Sequence, residues 1–238
     1  MTVFTYNIEQ ARRIVQDNTE PLDIDFQQYV GLSFEDFWNL LPKKLEYTDY
    51  EEELATILET NKKLWVKKAT GLGITEFMVR WLAWNCVKDN IWKNGQVDVS
   101  VVIITGANQA LTNKVIGRIK GLFVGKEFKT KESLVILNGC KIEAFPTNHL
   151  EPARGLNPKL VFLDEGDFFP LRYQDEARTV AERYRGKGDA YITMVSTPNM
   201  PGGLFERMEE EENNGYIMKE YDYTHGLNKV YDPAIIEI

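Results

Sequence analysis

Apolar positions along this chain follow two periods, and the changes between them mark the elements. Helical spacing runs through 7–16 and 33–41, with a turn at Pro21 between them. Residues 47–60 continue as a helix and lead into a short β-prone stretch, 64–67. From Thr75 to about Asn90 the helical period returns, with Phe77, Trp81, Leu82, Trp84 and Cys86 supplying apolar faces. Asp98 to Thr105 is β-branched and strand-like, and Ala107 to Phe123 is periodic helix. The runs 134–137 and 141–145 flank Asn138-Gly139, the dipeptide that suits a two-residue hairpin turn. An apolar run at 160–164 is followed by a helix at 172–185, a strand at 190–195 and a last strand at 216–221.

This alternation predicts an α/β fold, a mostly parallel sheet with helices on both faces. Ligands of such sheets sit at the carboxyl ends of the strands. Residues 1–45 read as a small helical arm or subdomain and 46–238 as one larger domain.

Composition narrows the class. The 43% hydrophobic and 27% charged residues are ordinary for a globular chain of 238 residues. No apolar run reaches the roughly 20 residues of a membrane span, and the N-terminus lacks the basic-then-apolar layout of a signal peptide. Cys86 and Cys140 show no metal-ligand spacing, and His149 and His225 are isolated, so free thiols in a reducing compartment are expected. The net charge of −8 argues against a strong nucleic-acid surface on the domain alone. The charge is uneven, however. Lys114, Arg118, Lys120, Lys126, Lys129, Lys131 and Lys141 face only Glu127 and Glu132, and that stretch is either a DNA-facing surface or the solvated side of a helix and hairpin.

Two segments carry chemistry. Leu160-Val161-Phe162-Leu163 delivers Asp164 and Glu165 at a strand tip, where one carboxylate can hold Mg²⁺ and the other can orient and deprotonate a water. The same pattern also describes any buried strand capped by acids. Upstream, Lys67-Lys68-Ala69-Thr70-Gly71-Leu72-Gly73-Ile74-Thr75 links a strand to a helix through a glycine turn, the geometry of a phosphate cradle. Against the usual G-x-x-x-x-G-K-S/T pattern, Gly73 and Thr75 fit, but Ile74 occupies the lysine slot and Lys68 the first glycine slot. Either Lys67 or Lys68 could reach over the loop to phosphate; the alternative is an ordinary strand-to-helix turn with solvated lysines.

In order along the chain these motifs resemble the N-terminal ATPase domain of the large terminase subunit, the DNA-packaging motor of tailed viruses. Lys68 to Thr75 is similar to the deviant Walker A of some terminases, with its lysine at the start of the loop. Leu160 to Glu165 resembles Walker B with the catalytic glutamate, and Met194-Val195-Ser196-Thr197-Pro198-Asn199 resembles the coupling motif. Val101 to Ala110 resembles the helicase-like element after the second core strand, and Arg154-Gly155 stands where packaging ATPases carry an arginine finger. The resemblance covers about residue 45 to the end.

The resemblance implies a P-loop NTPase of the RecA-like class that binds ATP and Mg²⁺. Within the nucleotide-binding loop from Lys67 to Thr75, backbone N–H groups from Thr70 to Thr75 would cradle phosphate and Lys68 would neutralise it; Thr75 and Asp164 would hold Mg²⁺, Glu165 would activate water, and Ser196 and Thr197 would relay phosphate loss. Arg154 is either the finger or a local ion pair, and Tyr50, or Tyr47, either stacks on adenine or packs in the core. Implied partners are double-stranded DNA, a portal protein, a small terminase subunit and further copies of the chain in a ring, in the host cytoplasm. The nuclease domain that follows in large terminases is expected to be absent, and with it nuclease activity. A helicase-like translocase, or a nucleotide-binding scaffold with little turnover because of Ile74, are the alternatives.

Overall fold

The computed structural model describes residues 25–93, 98–124 and 127–234. Its helices and strands alternate along the chain: α1 (Phe34–Leu40), α2 (Asp49–Thr60), β1 (Lys63–Lys68), α3 (Ile74–Val87), β2 (Val101–Thr105), α4 (Gln109–Gly121), β3 (Leu134–Leu137) and β4 (Cys140–Pro146). Then follow β5 (Leu160–Asp164), α5 (Leu171–Gly188), β6 (Tyr191–Ser196), α6 (Leu204–Glu210) and β7 (Ile217–Tyr221). Among the described residues seven strands form one sheet in the order β3-β4-β2-β5-β6-β1-β7. Every pairing is parallel except the β3–β4 hairpin, whose turn residues Asn138 and Gly139 take φ of 47° and 80°. Both turn residues need positive φ, which is why Asn-Gly marks this turn in the sequence. No helix among the described residues is long and apolar enough to cross a membrane.

The sheet separates two apolar layers. On one face α3 and α4 pack against it, through Val115, Ile116 and Ile119 of α4 and most of α3. α3 is buried on every side because a second layer covers its back. Phe34 of α1 meets Phe77 and Trp84 of α3 with ring centroids 5.4 Å apart in each pair. Arg80 of α3 lies over the Trp38 ring at 4.3 Å, pairs with Glu76 at 3.3 Å and donates to the Lys43 carbonyl at 3.0 Å. Burying that guanidinium is tolerable because carbonyl, carboxylate and π face all receive it. Phe26, Tyr29 and α1 thus sit in the same core as the sheet; the expected helix at 7–16 and the Pro21 turn lie outside the described residues. Side chains cap the starts of α1 and α2: the Ser33 hydroxyl accepts from the Asp36 amide at 3.1 Å, and the Glu51 carboxylate accepts from the Thr48 amide at 2.9 Å.

The other face is covered by α5 and α6, with Trp65 of β1 against Phe205 of α6 at 4.8 Å between centroids. α6 has no helix-start signal in the local sequence. It is preceded by Gly202-Gly203, with no Ser, Thr, Asp or Asn to cap it. Its cap comes from a distant residue: buried Asp167 accepts from the Phe205 amide at 3.1 Å and from the Asn199 amide at 2.7 Å. Gly203 leaves room for this contact, since a Cβ there would lie 2.5 Å from the Asp167 carboxylate. Asp167→Ala is expected to cost about 2–4 kcal/mol, because two amides lose their acceptor in a buried setting. Urea denaturation checks this; a loss below about 1 kcal/mol would show that the cap contributes only as an ordinary surface one does.

Candidate active site

The loop from β1 to α3 is open at Thr70, Gly71 and Gly73 and anchored at the residues between. Gly71 and Gly73 have φ of +87° and +79°, a region closed to most side chains, so these two positions need glycine. α3 starts directly after Gly73. The amide of Phe77 is the first to bond back, to the Gly73 carbonyl at 2.9 Å. The amides of Ile74, Thr75 and Glu76 therefore lack intrahelical acceptors and form the positive end of the helix. The Ile74 side chain is 0% exposed and part of the core under the loop. The usual lysine slot here points inward.

Tyr50 does not offer a stacking face. It is 6% exposed, its ring is tilted against Tyr221 at 5.7 Å and edge-on to His225 at 6.4 Å, and its hydroxyl donates to the Leu72 carbonyl at 2.7 Å. Its role is to hold the loop, as does Tyr231, whose hydroxyl donates to the Thr70 carbonyl. Tyr47 is likewise packed, between Phe34 and Trp38.

The tip of β5 meets this loop. The Thr75 hydroxyl donates to Asp164 Oδ1 at 2.8 Å. Burial raises the Asp164 pKa to about 6; the Thr75 hydrogen bond, Arg118 and Lys68 oppose the rise and neighbouring Glu165 adds to it. Glu165 itself adopts φ 57°, ψ 48°, a left-handed conformation that costs a non-glycine residue about 1 kcal/mol or more. That turn of the backbone swings its carboxylate across the ends of β6 and β1. There it accepts from Lys68 Nζ at 2.7 Å, the Thr197 amide at 3.2 Å and the Ser196 hydroxyl at 3.3 Å. Lys68 also donates to the Thr197 hydroxyl at 3.1 Å.

The two lysines part company because a strand sends successive side chains to opposite faces. Lys68 is buried at the site, whereas Lys67, on the Trp65 side, pairs with Glu209 of α6 at 2.6 Å. The Lys67 side chain is therefore directed away from the loop, in contrast to that of Lys68. Arg154 lies in a 3-10 turn, Glu151–Gly155, with one guanidinium nitrogen on Glu176 of α5 at 2.5 Å and another 3.6 Å from Glu151. In the single chain it is the local ion pair.

Two cations that the sequence reading grouped with the basic stretch lie elsewhere. Lys114 and Arg118 of α4 line a cleft of about 290 Å³ with Thr75, Asp164, Glu165 and Phe168. Lys120 instead donates to the Lys131 carbonyl at 2.9 Å, and Lys141 lies 3.9 Å from Glu143, so the described bases of that stretch are divided among different settings; Lys126 lies outside the described residues. The four-residue spacing of Lys114 and Arg118 was the visible signal; that their flank faces the strand tips was not. Asp167, two residues after Glu165, also has a role with no local sequence signal, since the amides it accepts from belong to Asn199 and Phe205.

Sequence comparison finds no matching family model and no matching curated protein. Structure comparison does find likeness. The large terminase of bacteriophage HK97 superposes with a TM-score of 0.61 at 11% identity, over 88% of this chain and 50% of that one. The large terminase ATPase domain of Thermus phage P74-26 matches with a TM-score of 0.52 at 16% identity, over 79% of this chain and 84% of that one. The chain has the fold of a terminase ATPase domain. The UvsW helicase of bacteriophage T4 shares it, with a TM-score of 0.53 at 11% identity over 90% of this chain and 77% of that one. This chain spans about half the length of the full HK97 terminase.

Proposed function

We propose that this domain hydrolyses ATP and serves as the motor of a viral DNA-packaging terminase. The observation that carries the reading is the convergence of Lys68, Thr75, Asp164, Glu165 and Thr197 at the ends of β1, β5 and β6, beside an open glycine loop and free helix amides. The anionic phosphates would lie on the loop, where backbone N–H groups and the α3 N-terminus favour negative charge. Lys68 would move from Glu165 onto the β- and γ-phosphates, supplying from the strand the charge that Ile74 cannot.

Mg²⁺ fits the remaining donors. Thr75 and Asp164 place a hydroxyl and a carboxylate oxygen 2.8 Å apart. Among the described residues no cluster of three or more His, Cys, Asp or Glu offers a protein cage, and a metal that shares its shell with phosphate and water needs only one or two protein oxygens. When bound, the ion would neutralise charge on the β- and γ-phosphates. Glu165, released by Lys68, takes a proton from water as its oxygen bonds to the γ-phosphorus. The bond from that phosphorus to the bridging oxygen breaks, its electron pair leaves with ADP, and inorganic phosphate forms. Ser196 and Thr197, bonded to Glu165 at rest, would register the change.

Double-stranded DNA, a portal protein and a small terminase subunit are the proposed partners, in a ring of copies in the host cytoplasm. In that ring Arg154 would leave Glu176 for a neighbour's nucleotide. Steady-state hydrolysis with Mg²⁺ over a wide protein concentration range tests this. Specific activity is expected to rise with concentration in the wild type. In Arg154→Ala it should stay flat, about 10³-fold lower at the top of the range. Equal specific activity of both proteins at every concentration would remove the finger role. No nuclease activity is expected from these residues.

A further inference from the structure

α4 is fixed on the sheet by Val115, Ile116 and Ile119, and that packing sets where the rest of the helix points. Lys114 and Arg118, one turn apart, both line the cleft beside Asp164 and Glu165. Among the described residues neither cation has a carboxylate within ion-pair distance. The acids of the cleft are engaged elsewhere, Asp164 by the Thr75 hydroxyl and Glu165 by Lys68. The cleft, about 290 Å³, is many times the roughly 30 Å³ of a water molecule and admits a hydrated oxyanion. Two unpaired cations therefore face a space that begins at the proposed hydrolytic centre and opens past the exposed ring of Phe168.

In-line attack gives that space a use, granted the hydrolysis reading above. Water held by Glu165 approaches the γ-phosphorus from the side opposite ADP, so the phosphorus moves toward Glu165 as the bond to ADP breaks. The product is a phosphate dianion beside a Glu165 that has just taken the water's proton; when that proton leaves to solvent, the carboxylate it uncovers repels the dianion. We propose that Lys114 and Arg118 form a holding site for inorganic phosphate as it leaves the γ position. Arg118 offers a planar fork of N–H donors matched to two phosphate oxygens, and Lys114 adds a point charge.

The test is equilibrium binding of inorganic phosphate to the protein saturated with MgADP, followed by ³¹P line broadening. Wild type is compared with Lys114→Ala, Arg118→Ala and Arg118→Lys, and with Arg172→Ala on α5 as a control for net charge. MgADP affinity is measured on each, and thermal melting checks folding. Each alanine variant at the cleft should bind phosphate about tenfold more weakly, with MgADP affinity within about twofold of wild type, and Arg118→Lys should fall between. The control should match wild type. Phosphate affinity indifferent to both substitutions would overturn the site, and so would a parallel fall in MgADP affinity, which would assign the cations to the nucleotide. Failure of the wild type to bind MgADP at all would instead remove the hydrolysis reading, and this site with it.

Discussion

Glu165→Gln is expected to lower the rate of ATP hydrolysis by about 10²–10⁴-fold while leaving nucleotide binding intact or tighter. The substitution keeps the volume and the left-handed backbone at 165 and removes only the charge. Glutamine can still accept from the Thr197 amide and the Ser196 hydroxyl, so the strand tips stay in place. What it cannot do is take a proton from water or hold Lys68 as an ion pair. Lys68 then turns to phosphate without giving up a carboxylate, which is why affinity should not fall. Steady-state hydrolysis together with titration of a fluorescent ATP analogue separates the two effects. Hydrolysis within about tenfold of wild type would mean that Glu165 serves mainly to anchor Lys68, and that another group activates water.

Ile74→Lys should damage the protein although it restores the residue most P-loops carry. The side chain at 74 is 0% exposed and belongs to the core beneath the loop. An ammonium there has no paired carboxylate, and removing an uncompensated charge from water costs several kcal/mol. A loss of about 4 kcal/mol or more, roughly a 10 °C fall in Tm for a chain of this size, is expected. The variant should also fail to restore activity to Lys68→Ala, because the new lysine starts from the wrong side of the loop. A wild-type Tm with restored turnover in the Lys68→Ala, Ile74→Lys double variant would show that the slot opens to the phosphates after all.

How much of this was legible in the sequence depends on how far each signal travels along the chain. The strands, most helices and the hairpin come from local periodicity and turn chemistry, and the structure reproduces them within a few residues at their ends. The glycine loop and the acidic strand tip were legible because each is a short contiguous motif. The choice between Lys67 and Lys68 was not. Leu64, Trp65 and Val66 are all buried, so the pattern of β1 does not say which face meets the site. α6 was missed because its cap sits 38 residues away, at Asp167. The apolar faces of α3 were legible, but not that Phe34 and Trp38 of the N-terminal segment would cover its outer side, because that contact joins residues about 40 positions apart. Aromatic residues near the loop were ambiguous for the same reason: the partners of Tyr50 come from the far end of the chain.

The adjacent lysines of β1 close a circuit. Lys68 grips Glu165; two residues on, Asp167 grips the start of α6; and Glu209 near the end of α6 grips Lys67, back on the same strand. A ring of linked parts is stiff while every joint holds and gives way at whichever joint opens. Of the three, only the Lys68 joint faces the open loop, so it is the clasp that an arriving polyanion would undo. Its opening would slacken a hoop that runs through the sheet and out to the acidic end of α6, on the face turned away from α3.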